Sequence, residues 1–273
     1  MSNLFVRIIS GLVYGGIIIG SCYSAEPGIF FLACFLGFPA IVEWLQFRKG
    51  KNISLQSSML IGVYLLSLLL YGNIIDLSPI PQYTFQVLIF IFLVSLFTSM
   101  AFSRKREIPL DLFHSTFTFI YIIVPLHLLV RIPFLTDSYE PLLLLSIFII
   151  IWCNDSFAYF SGRLLGKHKL FERVSPNKTW EGFIGGLVFS LAAAYIMSLY
   201  FPFLGMGKWL GLAAVVIIFA TVGDLFESSL KRAYKLKDSG RFMPGHGGIL
   251  DRIDSLLFAL PAAYLYLQAL QNY

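Results

Sequence analysis

The sequence predicts an all-α polytopic membrane protein with about nine transmembrane helices and its N-terminus in the cytoplasm. Composition, run length and charge distribution predict it. Apolar residues make up 58% of the chain and charged residues 13%, whereas a soluble domain carries about 45–50% apolar and about 25% charged residues. Mean hydropathy is +0.78. Too little charge remains to coat a soluble surface, which excludes a soluble enzyme, a disordered chain and a nucleic-acid binder. A hydrocarbon core about 30 Å thick takes about 20 apolar residues per helix. A closed β-barrel would show period-two alternation, and runs such as 142–152 show none.

The helices follow in order. Arg7 precedes an apolar run over 6–23. More hydrophobic segments follow at once, so the run reads as a first membrane helix rather than a cleaved signal. The next spans lie at 28–46, 58–75, 84–102 and 111–130. Pro125 is placed to kink the fifth, and His114 and His127 on it have no second ligand at useful spacing, so they read as packed residues. Four further spans lie at 141–162, 182–200, 208–224 and 252–270. This divides the chain into N-terminal helices over 1–140 and a C-terminal catalytic region over 141–273. Tyr23, Glu43, Trp44 and Trp209 suit membrane-interface positions near helix ends. Cys22, Cys34 and Cys153 are scattered, which suits small apolar packing rather than a disulfide or zinc site.

Orientation follows from Lys and Arg. On this map eighteen of the 20 basic residues fall on one side: Arg7, 48–51, 104–106, 163–178 and 231–252. Only Arg131 and Lys208 fall on the other. The alternation holds through all nine helices and puts the N-terminus and two long polar stretches, 163–181 and 223–254, on the cytoplasmic face. No eukaryotic targeting segment stands out, so a bacterial inner membrane is the expected location.

The later stretch carries the stronger chemical signal. Asp224, Glu227, Ser228 and Lys231 share one helix face at i, i+3, i+4 and i+7, flanked by Arg232. A breaker-rich loop follows, containing Lys237, Asp238, His246, Gly247 and Gly248, and Asp251, Arg252 and Asp254 open the next helix. Asp251 also suits a helix cap, but capping does not account for the acids, cations and glycines together. Carboxylates bind hard Mg²⁺, Lys and Arg bind phosphate oxygens, and glycines let backbone N–H groups approach a phosphate. Together they suit metal-assisted phosphoryl or nucleotidyl transfer. In the earlier stretch Asn154 and Asp155 sit in an otherwise apolar helix, where ionisable groups usually face a cavity or partner. The stretch 175–179 forms either a plain basic loop with a Ser-Pro turn and a Thr179 helix cap, or a second phosphate-binding wall on which Ser175 and Lys178 touch an anionic ligand.

Ser228-x-Leu230-Lys231-Arg232, then Lys237-Asp238-x-Gly240, then Pro244-x-His246-Gly247-Gly248-Ile249-x-Asp251-Arg252-Ile253-Asp254 resembles the signature of the phosphatidate cytidylyltransferases. The stretches DSFAYFSGRLLGKHKL and SPNKTWEGFIGG are similar to that family too; the resemblance is strong over about 150–260. Met243 departs mildly from the Leu, Ile or Phe usual there. The resemblance implies transfer of CMP from CTP to phosphatidate with release of pyrophosphate, Mg²⁺ dependence with a second metal ion left open, a bilayer-embedded fold and a homodimer. On this reading Asp224, Asp251 and Asp254 coordinate metal. Lys231, Arg232 and Lys237 hold phosphates, and Asp238 binds metal, orients Lys237 or contacts nucleotide. Ser175, Lys178, His246, Gly247, Gly248 and Arg252 meet substrate, with Asn154 and Asp155 in support. The rival readings are a CTP-dependent polyprenol or dolichol kinase, whose product would be CDP, and an ion or phosphate transporter, which would want paired broken helices.

Overall fold

The structure is a computed structural model that describes residues 3–47, 62, 64, 114, 116–136 and 138–271. Apart from Gly62 and Tyr64, both helical, the helices expected over 58–75 and 84–102 lie outside the described residues. Among the described residues seven helices are long and apolar enough to cross a membrane. The chain divides into two compact units, residues 1–130 with 238–251, and residues 131–237 with 252–273.

In the first unit, α1 (Asn3–Tyr23) and α2 (Ala25–Gln46) pack together. α1 buries Tyr14, Ile18 and Cys22, one stripe at four-residue spacing, and leaves Ile8, Leu12 and Ile19 exposed. A helix apolar on both its packed and its outward side suits a lipid environment rather than water. Trp44 on α2 is fully buried, its ring 4.2 Å from that of Phe117 and 5.2 Å from that of His114. His114 and His127 are both buried, as packed histidines should be. Trp44, Glu43 and Trp209 are buried inside the protein, so of the four residues read as interfacial only Tyr23 is exposed. The helix around Pro125 widens into a π-turn over Phe119–Ile123 before α3 (Val124–Arg131) resumes. Proline has no N–H to donate, and its ring crowds the carbonyl four residues back. The wider turn accommodates both.

The second unit contains α4 (Pro141–Leu165), α5 (Trp180–Tyr200), α6 (Met206–Ala233) and most of α7 (Leu250–Gln271). Glu140 caps α4 by accepting from Leu142 N at 3.1 Å, with Pro141 in the first turn. Among the described residues α4 and α5 form the most extensive pairing, and small residues let their backbones meet. A Cβ on Gly182 would lie 2.8 Å from the Ala158 carbonyl, and one on Gly186 2.9 Å from that of Asn154. Phe157 and Phe189 stack across the same seam at 3.8 Å.

The all-α expectation needs one addition. Between α4 and α5 the chain forms a short antiparallel hairpin, β1 (Lys169–Phe171) with β2 (Ser175–Thr179), pairing Lys169 with Thr179 and Phe171 with Ser175. Its base is tied by Glu181, whose carboxylate accepts from Lys167 N at 3.1 Å and His168 N at 3.2 Å. Thr179 then starts α5 as expected, its Oγ1 accepting from Gly182 N at 3.1 Å. α6 runs nine residues further than the apolar pattern at 208–224 suggested, to Ala233, so Asp224 to Lys231 do share a helix face. It stops in a Schellman turn: Leu236 N donates to Lys231 O at 2.8 Å and Lys235 N to Arg232 O at 3.0 Å, with Lys235 at φ +56.

Candidate active site

The second unit holds a cavity of about 350 Å³ walled by α4, the β1–β2 hairpin, α5, α6 and Ser255 of α7. Four of the residues singled out from the sequence line it: Asn154, Asp155, Ser175 and Lys178; Asp224 is a fifth. Each arrives for a local reason. Asn154 and Asp155 sit just past the middle of α4, β2 carries Ser175 and Lys178 past them, and α6 presents Asp224 to the same cavity. The Lys178 ammonium forms an ion pair with Asp224 Oδ2, while Ser228 Oγ donates to Asp224 Oδ1 at 3.4 Å. Asn154 Nδ2 donates to Asp155 Oδ1 at 3.3 Å, and both residues line the cavity.

Asp254 lies behind this wall, 9% exposed, its Oδ1 accepting from Ser255 N at 2.6 Å, and Ser255 itself lines the cavity. α6 and α7 come this close because residue 223 is glycine: a Cβ there would lie 2.6 Å from the Asp254 carbonyl. Asp254 is within electrostatic reach of Asp224, Asp155 and Lys231. Asp155 in turn feels Asp224, Lys178 and Arg252. Lys231 forms an ion pair with Glu227, which is 1% exposed. Arg232 and Lys237 are exposed.

The first unit builds the glycine-rich loop. Asp251 at the start of α7 accepts from Ser239 N at 3.0 Å and Gly248 N at 3.0 Å. Gly247, at φ +88, makes the turn that brings the Gly248 N–H round to it, in a backbone region that L side chains avoid. Met243 N donates to Gly247 O at 2.9 Å and closes the loop from within. His246 Nδ1 lies 2.6 Å from Ser10 Oγ, and Arg7 Nε donates to Gly245 O at 2.9 Å. Asp238 is exposed beside this turn. Glu43 reaches the loop from α2 and accepts from Ser239 Oγ at 3.0 Å, Ile249 N at 3.0 Å and Leu250 N at 2.9 Å.

Sequence reasoning missed several of these groups. Asn177, Thr221 and Ser255 line the cavity but lie beside stronger charged signals and carry no pattern of their own. Glu43 did carry one: it is an acid inside an apolar helix whose other acid, Glu26, lies in the first turn, a feature that normally marks a polar partner.

The chemistry of the donors fits Mg²⁺. Asp155 and Asp224 line one cavity and Asp254 stands behind it, and carboxylate oxygens are the donors hard Mg²⁺ takes. Among the described residues no three His, Cys, Asp or Glu side chains converge on one metal position. Mg²⁺ does not ask for such a cluster, since it keeps several waters and takes one or two carboxylates together with substrate phosphates.

Apolar helices long enough to cross a bilayer, around a polar cavity that joins carboxylates to an ammonium group, define a multi-helix membrane protein with a charged site. The chain belongs to the cytidylyltransferase family, whose model matches residues 5–270, and it is accordingly a nucleotidyltransferase. It is similar to a phosphatidate cytidylyltransferase of Bacillus subtilis, 35% identical over 98% of both chains. It is also similar to phosphatidate cytidylyltransferases of Staphylococcus haemolyticus and Staphylococcus aureus, each 52% identical over 120 residues. Those two alignments cover 43% of this chain and 46% of the relative, less than half the relative's own length.

Proposed function

We infer that this protein transfers the cytidylyl group of CTP to phosphatidate, forming CDP-diacylglycerol and pyrophosphate. The observation that carries the reading is the end-to-end match to the Bacillus subtilis relative, at 35% identity over 98% of each chain. The carboxylate and lysine cavity supports it independently. In the reaction a phosphate oxygen of phosphatidate attacks the α-phosphorus of CTP, a new P–O bond forms, and the bond from the α-phosphorus to the bridging oxygen breaks. Pyrophosphate carries away the electron pair. The nucleophile is already an anion, so no strong general base is required; the barrier is repulsion between two polyanions. Lys178 lowers that repulsion at the cavity wall and holds Asp224 in place through their ion pair. Ser175 and Asn177 on β2 supply polar contacts beside it. Asp224 and Asp254 are the groups we assign to holding Mg²⁺, with Asp155 alongside. Bound there, the ion supplies charge neutralisation for the triphosphate. Arg232, Lys237 and Arg252 are assigned to phosphate oxygens.

We further propose that the site faces the cytoplasm of a bacterial cell, with the protein in its inner membrane as a homodimer. The eighteen-to-two division of basic residues on the nine-helix map supports the orientation, and water-soluble CTP is then on the correct side. The family resemblance supports the dimer. The direct test supplies purified protein in mixed micelles with phosphatidate and CTP labelled separately at the α- and γ-phosphates. The α label should enter lipid as pyrophosphate is released. Entry of the γ label would identify a lipid kinase instead, and transfer of neither label would overturn the enzyme reading.

A further inference from the structure

We propose that Glu43, on the second helix, is a positioning residue for this reaction: it holds the loop 238–251 of the C-terminal signature in its working shape. The proposal rests on the cytidylyltransferase reading. Glu43 is 5% exposed, and three donors converge on its carboxylate. Ile249 N meets one oxygen, and Leu250 N and Ser239 Oγ meet the other. Two of these donors open α7. The first N–H groups of a helix have no partner within it, and a negative charge is favoured at that end. Glu43 therefore answers both needs from a helix about two hundred residues away in sequence.

The loop is shaped around this carboxylate. A Cβ on Gly240 would run into Glu43, and one on Gly248 would run into both Glu43 and Ser239 Oγ. Ser239 couples the two acids: its hydroxyl donates to Glu43 while its N–H donates to Asp251, and Asp251 N donates back to Ser239 Oγ at 3.3 Å. Asp251 is thus placed through Ser239, and Ser239 through Glu43. The signature resemblance assigns His246, Gly247, Gly248 and Asp251 of this loop to substrate and metal; displacing groups with such roles by even about 1 Å costs rate steeply, so loss of the loop's anchor is expected to slow the chemical step. Glu43→Gln keeps the side-chain volume, but it replaces one acceptor oxygen by an NH₂ that faces donors.

The experiment uses the full chain in mixed micelles, comparing wild type, Glu43→Gln and Ser239→Ala. One readout is kcat and KM per monodisperse, folded protein; the other is hydrogen–deuterium exchange. Hydrogen bonds to a charged acceptor are at stake, so kcat of Glu43→Gln should fall about 10- to 100-fold while KM for phosphatidate holds. Exchange should accelerate within 239–250 and stay unchanged in α4, α5 and α6. Ser239→Ala should move both readouts the same way by less. If Glu43→Gln does not fold, Ser239→Ala decides by the same two readouts. Wild-type kcat with unchanged loop protection would overturn the proposal, as would loss of protection spread evenly over the whole chain. A wild-type protein that turns over no CTP with phosphatidate would defeat the functional reading instead, and the exchange data would still report whether Glu43 holds the loop.

Discussion

Replacing Lys178 by Met separates the catalytic role of this side chain from its structural one. Its ammonium pairs with Asp224, and the two side chains are 27% and 33% exposed. Two unit charges in contact gain about 4 kcal/mol at an effective dielectric of about 20. Solvent reaches about a third of each side chain, and screening and rotamer entropy remove most of that gain, so the pair contributes about 1 kcal/mol to folding. The same ammonium lines the cavity where a polyanion must be stabilised. Removing one preorganised electrostatic group of this kind costs about 10²–10³ in kcat, equivalent to about 3–4 kcal/mol. The expected outcome is therefore a mismatch: kcat falls by two to three orders of magnitude while thermal stability in detergent shifts by a few degrees. Initial rates of CDP-diacylglycerol formation and a melting curve on the same preparation measure both. Lys178→Arg should recover part of the rate, because it keeps the charge but not the point-like geometry. A fall in kcat of less than about fivefold, or a stability loss as large as the loss in transition-state binding, would refute the reasoning.

Three further outcomes are expected. EDTA should abolish turnover and added Mg²⁺ restore it in wild type, whereas Asp254→Asn should stay inactive at every Mg²⁺ concentration; a steady-state Mg²⁺ titration checks both. Gly223→Ala should destabilise by about 1–3 kcal/mol through overpacking, because its methyl would press on the Asp254 carbonyl and Phe258; thermal unfolding in detergent reads this. Lys235→Gly should stabilise by about 1 kcal/mol by relieving the left-handed backbone at φ +56, seen as a raised melting temperature with turnover unchanged.

Much of the architecture was legible because apolar run length is a one-dimensional quantity. The runs at 6–23, 28–46, 141–162 and 182–200 correspond to α1, α2, α4 and α5 with ends shifted by a few residues. α6 was underestimated because its last turns carry Asp224, Glu227 and Lys231, which lower hydropathy without breaking the helix. The β1–β2 hairpin was not legible: three residues pairing with five have no periodicity long enough to read, and the carboxylate that ties its base, Glu181, lies beyond the strands. The carboxylates and cations at 154–178 and 224–254 stood out because ionisable residues are rare in so apolar a chain.

By itself the sequence determined that this chain is a helical membrane protein, that its polar chemistry is gathered in two stretches, and that those stretches carry the residues of a cytidylyltransferase. Composition, run length and motif spacing are properties of residue order, so no folding is needed to read them. Only the tertiary structure decided which residues share a site. It brought Lys178 against Asp224 across forty-six positions of chain. It set Asp254 behind Asp224 through a glycine at 223, and it turned Glu43 inward to hold the start of α7. These pairings depend on the rotation and crossing of packed helices, which the hydrophobic pattern leaves undetermined when every face of a helix is apolar.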